Sequence, residues 1–353
     1  MFAKQILLAV LLVTPAFADD DPDSGAAAPG NTAPLVPVVP VRRAATGTFS
    51  VGAGYNTDDS FMFSAGVSQS DLFGTGKLLS LDAMVDGREQ RFTARYVDPA
   101  LFGTDYQLDA RLIADDKQLY QFTRRSIGTN LELSHLIAPH LKWYAGYRLE
   151  HVKDVMDDPI LPGDEHDVGA IRIGTELNTL DQPFLATRGS RVGTMIEYGS
   201  RELGGSFEML HMKSYGETHQ RLGSLTLHLS GSMETVSGDE LPIGEQLFFD
   251  GSSQIRGYRP NRVGPIDLTG HGTGSNMGLF GRAELELPVI RRVGLSVTGF
   301  ADGGGMFGAH AGELAASTGF GVVWRSPIGP IGGYWAWTGQ GGPTFVFGAG
   351  AAF

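Results

Sequence analysis

Residues 79–85 read LSLDAMV, with apolar side chains at the odd positions and Ser80 and Asp82 between them. Segments 106–112 (YQLDARL), 225–230 (LTLHLS) and 284–287 (ELEL) alternate in the same way. A period of two is typical of a β-strand with one apolar and one polar face. Similar alternation along the rest of the chain predicts an all-β protein of about sixteen strands. The predicted strands are 46–56, 60–70, 77–87, 89–98, 105–116, 119–137, 141–155, 167–179, 190–200, 206–221, 223–237, 275–289, 293–303, 316–326, 329–338 and 343–353.

Two features favour a transmembrane antiparallel β-barrel over a soluble β-sandwich, which would show the same alternation with its apolar face turned inward. Charged residues lie in the middle of the polar faces, as in a water-filled lumen: Asp82, Arg95, Asp109, Arg111, Arg172 and Glu284. Aromatic residues gather near predicted strand ends at 143–144, 248–249 and 334–337, which is typical of an interfacial girdle. An even strand number also fits a single-chain bacterial barrel.

Composition and charge argue against several classes of function. The 353 residues include 50 glycines and no cysteine, and the formal net charge is −12. The absence of cysteine excludes a disulfide framework and thiolate chemistry. The acidic balance argues against nucleic acid as the main partner, because phosphate binding needs a basic face.

The first 45 residues are predicted to lie outside the fold. An apolar run at 6–13, Pro15 and the small-x-small pattern at 16–18 predict a signal peptide over 1–18. The alternative, an uncleaved anchor helix, needs about 20 apolar residues, far more than this run contains. Residues 19–45 are predicted to be a disordered Pro/Ala-rich linker, which leaves 46–353 for the barrel.

One connection, 238–274, is long, polar and rich in glycine and proline, and its part 248–265 reads FFDGSSQIRGYRPNRVGP. This resembles the sixth surface loop of the BamA-type outer-membrane assembly and translocation superfamily (bacterial surface antigen barrels), whose signature is Gly-Gly-Ser-x-x-Val-Arg-Gly-Phe. Ile255 and Tyr258 are similar variants, and Asp250 replaces the first glycine. Further segments resemble family elements in the same order: ELELP at 284–288, FADGG at 300–304 and WRSPIGP at 324–330.

The resemblance implies a site. In the family this loop folds back into the lumen, so the motif Ile255, Arg256, Gly257 and Tyr258 would lie inside the barrel, with Arg256 paired to Asp302 and Glu284 on the wall. The residue types agree, since a buried guanidinium needs carboxylates in fork geometry. The last strand resembles the family's recognition signal for insertion, which would comprise the following residues: Phe345, Phe347, Gly350 and Phe353.

The resemblance also implies a function and partners. We expect a barrel of the bacterial outer membrane that assists protein insertion or translocation by non-covalent means. Its partners would be outer-membrane lipid, unfolded outer-membrane or secreted client proteins and a separate periplasmic partner. Only about 27 residues separate the predicted cleavage site from the first strand, so we expect a member without POTRA domains. The alternatives are a passive pore or small-solute channel plugged by loop 238–274, and a structural surface barrel.

No catalytic, cofactor or metal site is expected. The Gly-x-Gly cluster at 270–274 does not join a strand to a helix, so it does not predict a phosphate cradle. His211 and His219 share one strand face but stand roughly 26 Å apart at ~3.3 Å per residue, too far for one ion. A Ser-His-acid lipase is not supported either, because the Gly-x-Ser-x-Gly elbow is missing.

Overall fold

The computed structural model describes residues 46–119, 121–157, 163–182, 186–265, 274–308, 311–326, 329–339 and 342–349. The predicted signal peptide, 1–18, and the predicted linker, 19–45, lie outside the described residues. In the part that is described, no helix has the length and apolar character needed to cross a membrane.

Residues from Gly47 onward form sixteen antiparallel strands, and β1 pairs with β16 to close the sheet into a barrel. The strands are β1 (Gly47–Asn56), β2 (Ser60–Gln69), β3 (Leu78–Val85), β4 (Glu89–Asp98), β5 (Gln107–Gln118), β6 (Phe122–Ala138), β7 (Leu141–Met156), β8 (Asp164–Asn178), β9 (Gly189–Gly199), β10 (Met209–Leu222), β11 (Leu225–Ser237), β12 (Met277–Ile290), β13 (Leu295–Gly308), β14 (Ala311–Ser326), β15 (Gly329–Thr338) and β16 (Thr344–Ala349). The predicted fold class and strand number are confirmed, and the long segment 119–137 contains a single strand.

The two faces of the barrel wall differ as a membrane protein requires. Leu81, Ile171 and Leu285 belong to apolar rows whose side chains are exposed, whereas Asp109 and Glu286, on the alternate positions, are buried. This is the reverse of a soluble sandwich, whose apolar rows would be buried. The apolar rows therefore face lipid, which solvates them, and the charged rows face the interior.

Ion pairs form within and between strands along the charged face. Arg95 on β4 and Arg111 on β5 both donate to Asp109 on β5, at 2.6 and 2.8 Å. Arg325 donates to Glu286 from two of its nitrogens. Such pairs offset the hydration that each charge loses when it leaves bulk water.

The aromatic girdle is only partly as predicted. Trp335 and Trp337 are exposed on the lipid-facing side, as expected of a girdle. Phe249 and Tyr334 are buried instead. Phe249 belongs to the connection between β11 and β12 and packs on Phe280 of the wall, whereas Tyr334 on β15 packs on Phe300 and lies beside Arg256. The periodic pattern could not reveal this, since it contains no information about what a loop covers.

That connection, which begins after Ser237 and ends before Met277, is the longest in the chain. It contains two 3₁₀ turns, Ile243–Glu245 and Gly251–Ser253. Leu247 and Ser275 form an antiparallel bridge that brings its two arms together. The motif at 255–258 therefore lies in the part of the connection that this bridge closes off, and it packs against the barrel wall.

Candidate functional site

Arg256 is held by two carboxylates of the barrel wall. Its Nε and Nη2 donate to Asp302 Oδ2 and Oδ1 at 2.8 and 2.7 Å, and its Nη1 donates to Glu284. Its own backbone N–H also donates to Asp302, at 3.0 Å. Only 6% of Arg256 and 3% of Asp302 are exposed. We call Arg256, Asp302 and Glu284 the clasp.

Two aromatic rings complete the surroundings of the guanidinium. Arg256 Cζ lies 3.7 Å from the ring centre of Phe300 on β13 and 4.9 Å from that of Tyr334 on β15. Cation–π attraction adds to the ion pairs at both distances. Burial lowers the pKa of Arg256, but Asp302 and Glu284 outweigh burial and raise that pKa above its usual value. The side chain is therefore a permanent cation.

The clasp carboxylates stand on neighbouring strands. β12 and β13 pair Arg282 with Asp302 and Glu284 with Phe300, so the two acids lie one diagonal step apart on the face opposite Leu285. Arg282 donates to the backbone carbonyls of Ser252 and Gln254, at 2.5 and 3.1 Å. The wall thus holds both the side chain of Arg256 and the chain that leads to it. Sequence reasoning missed the role of Arg282.

Gly257 occupies a position that requires glycine. Its φ is +90°, in the left-handed region that L side chains rarely adopt. A Cβ there would come within 2.8 Å of the Ala336 Cβ and 3.0 Å of Thr338 Cγ2. The motif can therefore approach β15 closely only without a side chain at this position.

Apolar contacts seat the rest of the motif. Ile255 is fully buried, and Tyr258 and Phe249 meet edge to face with ring centres 6.4 Å apart. They belong to one cluster with wall residues of β12, β13 and β14, whose members are Phe249, Ile255, Tyr258, Val263, Phe280, Met306 and Ala315. Burying a side chain such as Ile255 contributes on the order of 2 kcal/mol. Packing and ion pairing therefore act on the same short segment.

The start of the motif is held by the first two hairpins. Arg88, in the turn between β3 and β4, reaches both Asp59 and Asp250. Asp58, in the turn between β1 and β2, accepts from the backbone N–H of Ser252 at 2.6 Å. Asp250, which replaces the family's usual glycine, therefore contributes an ion pair of its own.

A second anchor holds the base of the connection. Glu245 accepts from Arg124 on β6 at 2.7 Å and from Arg148 on β7 at 3.2 Å. Burial raises the pKa of Glu245, but Arg148, His166 and Arg124 outweigh burial and hold that pKa well below its usual range. Nothing in the local sequence around Glu245 pointed to this anchor, because its partners lie about 100 residues earlier in the chain.

The closing seam of the barrel is described over a short stretch. Among the described residues, β1 and β16 pair at two positions, Tyr55 with Ala349 and Asn56 with Gly348, whereas β1 and β2 pair at ten. The backbone N–H of Thr57 adds one hydrogen bond to Phe347 at 3.2 Å. Phe347 packs on Tyr55, and Phe345 on Trp335. Two further residues of the predicted closing-strand signal, Gly350 and Phe353, lie outside the described residues.

A cavity of about 520 Å³ extends from the clasp to this seam. Arg256 and Glu284 line one side, and Asn56 and Gly348 line the other. Its wall also carries His219 and His228, a cross-strand pair whose Nδ1 atoms lie 2.6 Å apart. The cavity thus lies between the ion-paired loop and the edge where β1 meets β16.

Comparison with known proteins agrees with this architecture. Residues 71–353 match the model of the Omp85 superfamily domain. The outer membrane protein assembly factor BamA of Nitratidesulfovibrio vulgaris is 24% identical over 309 residues, and that of Neisseria meningitidis is 26% identical over 360. These alignments cover 83% and 81% of this chain, but only 39% and 44% of the relatives, so the chain spans less than half their length.

Solved structures show the same fold. BamA of Haemophilus ducreyi lacking POTRA domains 1–3 superposes with a TM-score of 0.77 at 17% identity, covering 86% of this chain and 70% of that one. CdiB of Escherichia coli gives 0.59 at 16% identity, covering 86% and 62%.

Proposed function

The chain belongs to the Omp85 superfamily and lies in the bacterial outer membrane, and from this premise we propose that it assists the insertion of proteins into that membrane or their translocation across it. The observation that carries the proposal is that, among the described residues, β1 and β16 pair at two positions beside a firmly held loop. A strand edge that unzips presents unpaired backbone groups, and these can template an incoming strand. The client would be an unfolded outer-membrane or secreted protein.

We infer that the loop lies inside the barrel. Its partners, among them Arg124, Arg148, Glu284 and Asp302, come from strands on separate parts of the wall. All four occupy the face opposite the exposed apolar rows. The clasp would keep the loop in place inside the barrel. The β1–β16 seam could then open while the loop stays bound and the other strands stay paired. The clasp is thus proposed to act as a structural support rather than as a client-binding site.

The glycine content of β1 and β16 also supports a seam that can open. β1 carries Gly47, Gly52 and Gly54, and β16 carries Gly348. Glycine in a strand weakens pairing, because it offers no side chain to pack and loses more conformational entropy on ordering. These glycines therefore lower the cost of separating β1 from β16.

A reconstitution experiment tests the proposal. The full chain is placed in liposomes, and a urea-unfolded eight-stranded outer-membrane barrel is added as the probe client. Folded client is followed over time by its altered gel mobility without heating. We expect faster folding than in liposomes that hold a passive porin at the same density. Equal rates in the two preparations would contradict an insertase role.

The second candidate is a passive channel, favoured by the charged interior and the cavity between loop and seam. Water-filled barrels carry such polar interiors. Planar-bilayer recording separates the two functions, because a channel would show a large steady current with the loop intact. A small or absent current in the native chain, together with active client folding, favours insertion.

A further inference from the structure

Three potential metal ligands meet where β7 ends and β8 begins. The register pairs Asp154 with Asp164, and His166 lies two residues farther along β8, so all three side chains share one face of the sheet. One ligand atom from each residue lies within 4.8 Å of the other two. His166 Nδ1 faces Asp164 Oδ2 at 3.4 Å. Ligands at these separations can share a single ion.

Two of the three ligands are buried and have side-chain atoms without a hydrogen-bond partner. Asp154 is 1% exposed and His166 4% exposed. Within the described residues, Asp154 Oδ1 and both ring nitrogens of His166 make no hydrogen bond. Buried polar atoms in native proteins nearly always have a partner, and leaving one without costs about 1–3 kcal/mol. These unpaired atoms are therefore available as ligands.

The charges around the cluster point to a cation. Nearby carboxylates are each paired with arginine: Glu150 and Glu245 with Arg124 and Arg148, and Glu197 with Arg148 and Arg172. In contrast, no lysine or arginine of the described chain forms an ion pair with Asp154 or Asp164. Among the described residues, the one basic side chain within 4.0 Å of either carboxylate is His166, which faces Asp164.

We propose that Asp154, Asp164 and His166 bind one divalent transition-metal ion of the Zn²⁺ type. One imidazole nitrogen and two carboxylates suit Zn²⁺ better than Ca²⁺, which prefers an all-oxygen shell. Nδ1 is the ring nitrogen that faces Asp164, which leaves Nε2 directed at Glu245 Oε1, 3.8 Å away. A carboxylate in that position orients a histidine ligand. Water would take the fourth position.

The site would also fasten the long connection. The backbone N–H of Gly244 donates to Asp154 Oδ2 at 3.1 Å, and Gly244 directly precedes Glu245, the second anchor. A metal ion at the cluster would thus tie the β7–β8 hairpin to the base of the connection. The sequence predicted no metal site, because its histidines show no ligand spacing along one strand, whereas these ligands come from two strands.

Zn²⁺ titration of the purified full chain in detergent, with isothermal titration calorimetry and elemental analysis after gel filtration, tests the proposal. The native chain should bind one Zn²⁺ per chain. His166→Gln and Asp154→Asn should each lower the affinity at least about 100-fold, since loss of an outer-shell group alone costs 10–100-fold. His211→Gln is the matched control: His211 pairs with Glu234 on the barrel wall at 2.8 Å and lies outside the cluster. It should retain full binding.

A second readout covers the case in which a variant folds poorly. Zn²⁺ should raise the thermal unfolding midpoint of the native chain and of His211→Gln, because a ligand that binds only the folded state stabilises it. It should leave the midpoint of folded His166→Gln unchanged. Failure of the native chain to bind Zn²⁺ stoichiometrically, or equal binding by His166→Gln, would overturn the assignment.

Discussion

Arg256 meets Asp302 through three hydrogen bonds, two from the guanidinium and one from the arginine's own backbone N–H. The carboxylate therefore fixes both the side chain and the local chain direction. A lysine could not reproduce this, because its ammonium group lacks the planar fork. The pair is thus a geometric constraint on the loop as well as an electrostatic one.

Asp302→Asn should destabilise the barrel strongly. Removing one partner of a buried ion pair leaves the other charge uncompensated, which typically costs about 3–5 kcal/mol. The free energy of unfolding in detergent, measured by urea titration, checks this. Asp116→Asn is the control, since Asp116 and its partner Arg125 are both largely exposed; it should cost less than about 1 kcal/mol. Equal losses in the two variants would contradict a buried clasp.

Gly257→Ala should lower stability by about 1–3 kcal/mol, because alanine is strained at the φ of this position and its Cβ meets Ala336. Ala336→Gly in the same chain should restore part of the loss, since one of the two close contacts disappears. Gly281→Ala, where a Cβ would make only ordinary contact, is the control. The thermal unfolding midpoints of the native chain, the two single variants and the double variant are compared. If Ala336→Gly fails to raise the midpoint of Gly257→Ala, the close approach of Gly257 to Ala336 is contradicted.

The contribution of Glu245 should depend on pH in one direction. Its pKa is depressed in the folded state by Arg148, His166 and Arg124, which together outweigh burial. Its stabilisation is therefore complete above the unfolded pKa of about 4.3 and is lost as pH falls toward the folded pKa. The difference in unfolding midpoint between the native chain and Glu245→Gln should be largest near pH 7 and shrink below about pH 4.

Asp239→Asn, which removes an exposed carboxylate of the same connection, serves as the control for that series. It should follow the native chain at every pH. A native-minus-Glu245→Gln difference that stays constant from pH 7 to pH 3 would mean that Glu245 is not held by the arginines.

Arg256→Ala should raise ion conductance in planar bilayers, because a loop without its clasp no longer blocks the lumen steadily. Arg125→Ala, on the exposed side of an ion pair, should leave conductance as in the native chain. The native chain itself should pass little current. Unchanged conductance in Arg256→Ala would contradict the proposed position of the loop.

The strand pattern was readable from sequence, whereas the contacts of the loop were not. Residues 79–85 and 284–287 alternate strictly, and alternation alone locates strands and their two faces. The pairing of Arg256 with Asp302 and Glu284 came from the family resemblance. The roles of Arg282 and Glu245 depend on strand register and on which wall residues a folded loop contacts. The period-two pattern contains no information on either.

The metal cluster and the buried aromatics show the same limit. Asp154 and His166 become neighbours only when β7 and β8 pair in one particular register. Phe249 and Tyr334 were predicted to lie in an interfacial girdle because aromatic residues at strand ends usually do. They are buried because Phe249 packs with its loop against the wall and Tyr334 packs on Phe300 beside Arg256, which are tertiary effects.

The seam is tested most directly by a reversible cross-link in this cysteine-free chain. Tyr55→Cys with Ala349→Cys would lock β1 to β16, and Val51→Cys with Ala65→Cys, on the same face of β1, would lock β1 to β2 instead. Folding of the probe client in liposomes is measured before and after reduction. We predict that oxidation stops client folding only in the first variant and that reduction restores it. Full activity of the oxidised β1–β16 variant would contradict an opening seam.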